Sequence, residues 1–340
     1  MYSSFYGLTR KPFRMTPDPA FLYMTDQHRE ALAGLTYAIL DRKGFIALSG
    51  TAGAGKTTLL SWVLQKLPVS QIQSSVILNP TLTRDEFLEA AMLDFGITDI
   101  PSSKAGRLWL LQKFLAQGKT DDKISVLVID EAHKLSPELL EEIRLLGNFE
   151  ASDQKLLQVV LIGQTELDDL LNRPDLGQFK QRISVRLKLK PLGAEEVGQY
   201  VQHRWAVATD GNPSPFTPDA LTNLARWSNG IPRLINSICD SALICAFADT
   251  AKQVNADHVE AAAKDLCLIA PSEPLRAASK PIQPPATPVA KQVQPAQPPV
   301  LPAVSIPRPQ PQSRPMFNWY DARLEQRSVF VRWASKLGLA

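Results

Sequence analysis

The chain alternates short, wholly apolar runs with longer segments in which apolar residues recur at helical spacing. Apolar runs rich in β-branched residues are typical of strands that are covered on both faces of a parallel sheet. Four such strands are predicted, over Phe45–Leu48, Val76–Leu78, Ser125–Ile129 and Leu156–Ile162. Helices are predicted around them, over His28–Leu40, Thr58–Lys66, Arg84–Leu93, Ala105–Gln117 and Pro137–Leu146. This alternation predicts an α/β fold with helices on both sides of a parallel sheet.

The pattern changes twice more toward the C-terminus. After residue 193 only helices are predicted, over Ala194–Thr209, Pro218–Trp227, Arg233–Asp249 and Ala256–Ala263. Residues 271–315 then contain 14 of the 27 prolines, a composition that predicts a polyproline-like or disordered spacer. The expected organisation is an N-terminal extended segment and helix packed on the core (1–43), an α/β domain (44–192), a helical domain (193–268), a proline-rich linker (269–315) and a tail (316–340).

The charge distribution and the tail bear on possible partners. Residues 271–340 hold nine Lys/Arg and three Asp/Glu, so residues 1–270 hold 28 against 31 and are slightly acidic. This balance argues against a strongly basic nucleic-acid-binding domain in the globular part. The tail combines basic residues with apolar residues at roughly helical spacing, which predicts an amphipathic helix docking on a protein partner or an anionic membrane surface. A frayed terminus is the alternative.

Other features exclude several classes of protein. The N-terminus has no apolar signal region, and no run approaches the roughly 18 apolar residues needed to span a bilayer, so we expect a soluble chain. Cys239, Cys245 and Cys267 match no zinc or redox spacing and are expected to be reduced thiols. His28 and His133 are isolated in the sequence and predict no metal cluster.

The strongest chemical signal is a glycine-rich loop between a predicted strand and a predicted helix. It matches G-x-x-x-x-G-K-[ST] at every fixed position, over Gly50, Thr51, Ala52, Gly53, Ala54, Gly55, Lys56 and Thr57, and Thr58 opens the helix. Glycines let backbone N–H groups curl around phosphate oxygens, and the helix N-terminus adds partial positive charge. Lys56 is expected to reach the β- and γ-phosphates of ATP, and the Thr57 hydroxyl to bind Mg²⁺. A glycine-rich turn without a ligand is the alternative.

A pair of acids ends the third predicted strand. Asp130 and Glu131 follow an apolar run, and ligands of open α/β sheets bind at this carboxyl edge. Asp130 is expected to hold Mg²⁺, mostly through water, and Glu131 to act as general base for the attacking water. Two acids can also simply cap the following helix, but the phosphate-binding motif earlier in the chain favours the catalytic interpretation.

Four further polar residues are candidates for the same chemistry. Gln164 follows the last predicted strand and is expected to help place the attacking water, the alternative being a simple loop amide. Arg182, or as second choice Arg186, is expected to stabilise charge on the γ-phosphate bound by a neighbouring subunit. The alternative is that both belong to a solvated basic strand. Arg233 begins a helix of the small domain and is expected to contact phosphate, with a structural ion pair as the alternative.

Short motifs in the N-terminal region add a resemblance to a known family. They are Phe5–Leu8, Lys11–Phe13, Thr16–Pro19, Phe21–Tyr23, His28 and Glu30–Leu32. Further motifs are the glycine-rich loop, Val128–His133, Leu161–Gln164, Gln181–Ile183 and Gly230–Arg233. With these, the chain resembles the general secretion pathway protein A (ExeA-like) branch of AAA+ ATPases over about residues 1–268.

The resemblance implies a RecA-like αβα P-loop domain, a helical lid and assembly that depends on ATP. Secretion members of the family work at the inner membrane with a partner protein and help envelope machinery assemble. They carry a transmembrane helix and a peptidoglycan-binding part after the ATPase region, where this sequence has the linker and tail. We therefore expect a Mg-dependent ATPase that forms a homo-oligomer, meets a protein partner through its linker or tail, and lies in the cytoplasm or peripherally at the inner membrane.

Two other functions remain open from the sequence. A DNA-associated helper ATPase of the transposition type is supported by the basic cluster Lys180–Lys190, although the slightly acidic globular part argues against it. A nucleotide switch without hydrolysis, which recruits partners through its tail, is disfavoured by the intact Glu131.

Overall fold

The computed structural model describes residues 2–269 apart from 17, 68–70, 152–153 and 210. The described strands are β1 (Phe45–Gly50), β2 (Ile72–Ile77), β3 (Ile124–Ile129), β4 (Glu150–Ala151), β5 (Gln154–Lys155), β6 (Leu157–Gly163) and β7 (Ile183–Leu189). The α-helices of the first part are α1 (Tyr2–Phe5), α2 (Asp26–Leu40), α3 (Lys56–Lys66), α4 (Arg84–Asp94), α5 (Lys104–Thr120), α6 (Pro137–Leu146), α7 (Glu166–Leu171) and α8 (Gly177–Lys180). The second part contains α9 (Ala194–Ala208), α10 (Pro218–Ser228), α11 (Pro232–Ala248) and α12 (Ala256–Asp265). The predicted linker, beyond its first residue, and the predicted tail lie outside the described residues.

Five strands form one parallel sheet in the order β2-β3-β6-β1-β7. The predicted α/β fold with a parallel sheet is therefore confirmed. Because parallel strands end at the same edge, the loops after β1, β3 and β6 all begin at one side of the sheet, and β6 lies between the other two. The glycine-rich loop, the acid pair and Gln164 follow these three strands, so the sheet topology brings them together.

Strand β7 extends the sheet beyond the four strands of the sequence prediction. Its side chains alternate: Val185 and Leu187 pack against the apolar cluster beneath α2, whereas Ser184, Arg186 and Lys188 are exposed. An edge strand needs only one buried face, so its sequence lacks the continuous apolar run of the central strands. The solvated basic strand considered as an alternative for Arg186 is thus present, and it is part of the sheet.

Two apolar layers sandwich the sheet. Phe87, Leu111 and Leu139 lie in the cluster of one face, beneath α4, α5 and α6. Leu35 and Leu59 lie in the cluster of the other face, beneath α2 and α3. All five side chains are at most 1% exposed, and full burial of one such side chain contributes roughly 1.5–3 kcal/mol to stability.

Helix starts follow local sequence signals. Thr83 and Glu86 form a capping box at α4, in which the Thr83 hydroxyl accepts the Glu86 N–H at 3.3 Å and the Glu86 carboxylate accepts the Thr83 N–H at 2.9 Å. Ser136 caps α6, whose first residue is Pro137. Proline is suited to this position because it fits the first helical turn without losing a hydrogen bond. Thr25 caps α2 by accepting the backbone N–H of its third residue.

Helices α9 to α12 pack around their own core and form the lid. The N-terminal segment, defined here as residues 2–23 without 17, contributes Tyr2 and Phe13 to that core. Thr9 donates its N–H and hydroxyl to the Ala208 carbonyl at 2.9 and 2.8 Å, and the Tyr6 hydroxyl donates to Ala251 at 3.0 Å. The segment predicted to pack, extended, on the α/β core therefore packs on the lid and includes short helical turns; only α2 covers the sheet.

The reason for this difference is the location of apolar surface. The sheet face near α2 is already closed by α2 and α3, whereas the lid exposes aromatic edges that the N-terminal rings cover. Phe13 meets Phe216 edge to face at 6.0 Å between ring centres, and Tyr6 meets Trp205 at 5.9 Å.

Among the described residues, no helix combines the length and apolar character needed to cross a bilayer.

Candidate functional site

The glycine-rich loop adopts a conformation that requires glycine. A Cβ at Gly50 would lie 2.4 Å from the Leu189 carbonyl oxygen, and one at Gly53 would lie 2.7 Å from the Arg233 Cβ. Gly53 and Gly55 have φ of +77° and +92°, in the region that side chains with a Cβ avoid. The motif therefore folds as a tight backbone loop between β1 and α3, with its last turn against the lid.

Lys56 points back over this loop. Its Nζ donates to the carbonyl oxygens of Gly50 at 2.7 Å and Thr51 at 2.9 Å, and the residue is only 8% exposed. Burial lowers the pKa of Lys56, while the nearby charges of Asp130 and Glu131 oppose that shift. A buried ammonium with only carbonyl partners can exchange them for anionic oxygens, which are stronger acceptors.

Two oxygen-bearing side chains meet at the start of α3 and the end of β3. The Thr57 hydroxyl donates to Asp130 Oδ2 at 3.1 Å, and Asp130 Oδ1 accepts the Glu131 N–H at 2.8 Å. Burial raises the pKa of the Asp130 carboxyl, and these two hydrogen bonds partly offset the rise. A buried carboxylate next to a hydroxyl is a hard-oxygen pair of the kind that Mg²⁺ prefers.

Glu131 is held in an uncommon backbone conformation. Its φ is +53°, which for a residue with a Cβ costs of order 1–3 kcal/mol and is frequent at functional sites. Its carboxylate lies 3.1 Å from Lys134 Nζ and 3.6 Å from His133 Nε2. His133 Nδ1 in turn accepts the Gln164 N–H at 3.3 Å, so a short chain of contacts joins the acid after β3 to the loop after β6.

These groups line a single cleft of about 560 Å³ between the sheet edge and the lid. Of the residues singled out from the sequence, the cleft is lined by Ala52, Gly53, Ala54, Gly55, Lys56, Thr57, Thr58, Asp130, Glu131, Gln164 and Arg233. Gly50 and Thr51 lie behind the lining, where their carbonyls hold Lys56. Residues from the loop, from two strand ends and from the lid therefore converge on one space.

Arg233 belongs to the lid side of this cleft. It lies in the first turn of α11, its backbone N–H donates to the Gly53 carbonyl at 3.3 Å, and its side chain is exposed toward the cleft. The start of α11 thus rests directly on the glycine-rich loop. The Arg233 side chain is available to an anion in the cleft. Its backbone N–H is bonded to the loop, so a shift of the loop would change this contact.

Arg182 and Arg186 do not line the cleft of their own chain. Arg182 donates to the Asn148 side-chain oxygen at 2.9 Å, and Arg186 is exposed on β7 beside Ala47 in the sheet. Any action of these arginines on a nucleotide therefore requires the nucleotide of another molecule.

Several cleft residues were not among the site residues predicted from the sequence. The N-terminal segment contributes Asp18 and Phe21, α2 contributes His28, and the lid contributes Tyr200 and Arg204. None belongs to a general phosphate-binding motif. The sequence signal that existed was the string of N-terminal motifs, which indicated a family without indicating that these residues reach the site.

Arg204 shows how the N-terminal segment closes the cleft. It is 7% exposed, its Nε donates to the Pro12 carbonyl at 2.6 Å, and its guanidinium lies 4.9 Å from the centre of the Phe21 ring. Its Nη1 donates to the Tyr200 hydroxyl at 3.2 Å. The arginine clamps the segment to the lid, so the segment forms a wall of the cleft.

Comparison with known proteins agrees with this arrangement. Residues 39–171 match the family described as AAA domain. General secretion pathway protein A of Aeromonas hydrophila is 46% identical over 252 residues, which cover 73% of this chain and 45% of that protein. The chain therefore spans less than half the length of this relative.

Solved structures with the same fold are more distant in sequence. The ORC1 protein of Aeropyrum pernix in complex with DNA has a TM-score of 0.57 and 18% identity, covering 76% of this chain and 69% of that one. Cdc6p of Pyrobaculum aerophilum has a TM-score of 0.55 and 17% identity, covering 77% and 70%. These similarities support the fold alone. The match to the AAA domain family and the 46% identity to the secretion relative show that the chain belongs to the P-loop AAA+ ATPases, in the branch related to general secretion pathway protein A.

Proposed function

We propose that this protein binds Mg·ATP in the cleft and hydrolyses it. The observation that carries the proposal is that Lys56, Thr57 and Asp130 line the same cleft, with the Thr57 hydroxyl 3.1 Å from the Asp130 carboxylate. They lie beside a loop in which a Cβ at Gly50 or Gly53 would clash. The family is one of nucleotide hydrolases in general. A triphosphate in the cleft would replace the carbonyl partners of Lys56, while the N–H groups of the loop and the start of α3 cradle its oxygens.

The fit to Mg²⁺ rests on the chemistry of the donors. The Thr57 hydroxyl and the Asp130 carboxylate are hard oxygen donors already in contact, and both line the cleft beside Lys56. When bound, Mg²⁺ would neutralise charge on the phosphate oxygens. Burial disfavours the ionised form of Asp130, and a cation bound beside the carboxylate would favour that form again.

Glu131 and Gln164 are proposed to handle the attacking water. Glu131 would accept its proton as general base, since its carboxylate is partly exposed and lines the cleft. Gln164, at the end of β6, would orient the same water through its side-chain amide. Arg233, on the lid side, would contact phosphate and make the lid sensitive to the bound nucleotide.

We further propose that the active form is a homo-oligomer. Arg182, or in second place Arg186, would reach the γ-phosphate in the cleft of a neighbouring subunit and stabilise charge there. Neither arginine lines the cleft of its own chain, so each could meet a nucleotide only in the cleft of another subunit.

The cellular role that fits best is assembly or regulation of a secretion or envelope system. Support comes from the 46% identity to general secretion pathway protein A. A protein partner would be met through the proline-rich linker or the tail, and a cytoplasmic location with peripheral contact at the inner membrane is part of the proposal. The partner would respond to the state of assembly of the subunits, which would depend on the bound nucleotide.

The direct test is hydrolysis as a function of protein concentration. Phosphate release should require Mg²⁺, and specific activity should rise with protein concentration as subunits assemble. Specific activity independent of concentration would contradict the action between subunits, and no Mg-dependent phosphate release would contradict the enzyme.

A second candidate function is a helper ATPase that binds DNA. The observation favouring it is the exposed face of β7 and the residue after it, where Arg186, Lys188 and Lys190 alternate with more buried residues. Lys188 is paired with Asp168 at 3.2 Å, but residues 180–190 themselves contain no acid. Such a row of cations suits a phosphate backbone. Stimulation of hydrolysis by duplex DNA, falling steeply with salt, would support this function. No change in DNA mobility with ATP at low salt would exclude it.

A further inference from the structure

A carboxylate outside the cleft ties helix α7 to two strands of the sheet and has no part in the mechanism proposed for hydrolysis. Asp168 lies in the first turn of α7, and its Oδ2 accepts the Ser49 hydroxyl at 2.9 Å. Lys188 Nζ, on β7, donates to the same oxygen at 3.2 Å. Neither Ser49 nor Asp168 lines the cleft, so the pair does not touch a nucleotide bound there.

The Ser49 end of this contact is buried and adjoins the glycine-rich loop. Ser49 is 2% exposed, and in the sheet it lies opposite Gly163 of β6 and Lys188 of β7. The next residue is Gly50, the first of the loop, whose carbonyl accepts the Lys56 ammonium at 2.7 Å. A hydrogen bond from a hydroxyl to a carboxylate is stronger than one between neutral groups. Helix α7 is therefore anchored at the point where the loop begins.

The Asp168 end belongs to the turn that carries Gln164. The Leu167 N–H donates to the Gln164 carbonyl at 2.9 Å, and the Asp168 N–H donates to the Thr165 carbonyl at 3.0 Å. Residues 164–168 therefore form one continuous hydrogen-bonded turn. Gln164 lines the cleft and is the residue proposed to orient the attacking water. The carboxylate that binds Ser49 thus lies four residues after this amide, on the same turn.

The turn packs closely on the sheet at its other end as well. A Cβ at Gly163 would lie 2.8 Å from the Leu167 Cβ and 3.2 Å from the His133 backbone nitrogen. The Gln164 N–H donates to His133 Nδ1 at 3.3 Å. These contacts hold the start of the turn, and the bond from Ser49 to Asp168 holds its far end. A functional side chain keeps its orientation when the residues around it are fixed by packing and hydrogen bonds in this way.

We propose that Asp168 is a positioning residue for the hydrolysis step. By accepting the Ser49 hydroxyl, it holds the turn of Gln164 at a fixed place relative to the glycine-rich loop, so that the amide stays directed at the attacking water. This inference rests on the proposed ATPase function and adds a residue to it. Because ATP is bound by the loop and not by the Gln164 amide, loss of the bond lowers kcat and leaves the Kd for ATP nearly unchanged.

The first test compares Asp168→Ala with Asp168→Asn in the full-length protein. Asn keeps an oxygen that can accept the Ser49 hydroxyl, whereas Ala keeps none. Asp168→Ala should lower kcat at saturating Mg·ATP by about tenfold, with the Kd for a fluorescent ATP analogue within about twofold of the wild type. Asp168→Asn should keep kcat within about threefold of the wild type. Asp169→Ala, at a neighbouring exposed acid, is the matched control and should leave both quantities unchanged.

A double-mutant cycle separates positioning of Gln164 from a general loss of structure. Gln164→Ala removes the amide and should lower kcat at least as much as Asp168→Ala does. When Asp168→Ala is added to Gln164→Ala, kcat should change by no more than about twofold, because the group that Asp168 positions is already gone. A full tenfold further loss in the double variant would show that Asp168 acts on another group and would overturn the proposal.

Circular dichroism and melting without nucleotide check the fold of each variant. If Asp168→Ala does not fold, Ser49→Ala removes the same bond from the donor side, with the same tenfold loss in kcat expected. A folded variant that lacks the bond and keeps the wild-type kcat would overturn the role of Asp168. So would a loss confined to ATP affinity, or equal losses of kcat in Asp168→Asn and Asp168→Ala. A wild type that releases no phosphate would instead overturn the ATPase proposal, and this inference with it.

Discussion

At the scale of single residues, the cleft contains groups held in states that are unfavourable in the protein alone. Burial raises the pKa of Asp130 and lowers that of Lys56, and Glu131 keeps a φ of +53°. The two charge states become favourable once charges of the opposite sign enter: a cation for Asp130, phosphate oxygens for Lys56. The same residues are therefore the ones whose replacement separates stability from activity.

Replacing Glu131 by Gln removes the proposed base while keeping the size of the side chain. We expect ATP binding within about twofold of the wild type and hydrolysis lowered by about 10²–10⁴-fold, the range for loss of a general base. Equilibrium binding and phosphate release measured on the same preparation check this. Glu138→Gln, at an exposed carboxylate on α6 outside the cleft, is the matched control and should leave both quantities unchanged.

Asp130→Asn should stabilise the protein in the absence of nucleotide and Mg²⁺. The folded pKa of Asp130 is raised above 3.8, so between 3.8 and the folded value the folded state binds more protons than the unfolded chain. Ionised Asp130 therefore destabilises the fold at every higher pH. Removing the charge should therefore raise the free energy of unfolding and the melting midpoint at pH 7.5.

Melting of Asp130→Asn and of the wild type over a range of pH tests this expectation. The advantage of Asp130→Asn should shrink as the pH falls through the raised pKa of the folded state, because the wild-type carboxyl then becomes protonated as well. Mg-dependent hydrolysis should be lost in the variant throughout. A variant that melts below the wild type at pH 7.5 would show that the hydrogen bonds of the carboxylate outweigh its desolvation.

At the scale of elements, the loop and the lid share one contact surface. The start of α11 rests on Gly53, and the Leu192 N–H donates to the Gly230 carbonyl at 2.8 Å where the lid begins. Gly230 has a φ of +69°, and a Cβ there would lie 2.0 Å from the Leu192 carbonyl oxygen. Backbone packed this closely transmits small displacements, because neither side can yield without breaking hydrogen bonds.

Gly53→Ala tests the contact between loop and lid. The new Cβ meets the Arg233 Cβ at 2.7 Å and forces α11 away from the loop. Gly96→Ala is the matched control, since Gly96 has a similar φ of +85° but open space around it. Both should lose about 1–2 kcal/mol of stability from the positive φ, while only Gly53→Ala should weaken ATP binding, by about tenfold or more. Equal affinities of the two variants for ATP would show that the contact between the loop and Arg233 does not contribute to nucleotide binding.

At the scale of the whole molecule, two assemblies matter: the N-terminal segment on the lid, and one subunit on the next. The first is described by Phe13 and its neighbours in the lid core. The second is proposed from Arg182 and Arg186, which lie away from the cleft of their own chain.

Mixing two inactive variants tests the contact between subunits. Arg182→Ala alone should lose hydrolysis by on the order of 10²-fold or more and keep ATP binding. A mixture with Glu131→Gln should regain activity, because a site formed by the Glu131 of one subunit and the Arg182 of the other is intact. No recovery in the mixture would contradict the role of Arg182, and the same experiment with Arg186→Ala then tests the second candidate. Lys190→Ala, an exposed cation at the end of the same strand, is the control.

Phe13→Ala tests whether the N-terminal segment is a structural part of the lid. Phe13 is 2% exposed and packs edge to face on Phe216, so its removal should cost about 3–5 kcal/mol of stability. Trp109, which is 63% exposed, provides the comparison: Trp109→Ala should change stability by about 0.5 kcal/mol or less. Thermal and denaturant melting of both variants decide the matter, and a small loss for Phe13→Ala would mean that the segment can leave the lid.

Much of the fold followed from local patterns. The central strands are buried on both faces, so each appears as a continuous apolar run, and the helix starts carry their own capping residues. Strand β2 begins earlier than predicted because Gln73 is paired inside the structure, donating to Ser125 at 2.7 Å. Strand β7 escaped the same rule because only one of its faces is covered.

The sequence by itself determined the parallel sheet and the helical lid, and it predicted the site residues of the loop and the acid pair, because each leaves a pattern within a few consecutive residues. Only the tertiary structure decided that the N-terminal segment belongs to the lid, that Arg182 lies outside its own cleft, and that His28 lines the cleft beside the glycine-rich loop. These contacts join residues from separate elements. Their free energy depends on which apolar and polar surfaces remain uncovered after the elements have packed, and a local pattern carries no information about that remainder.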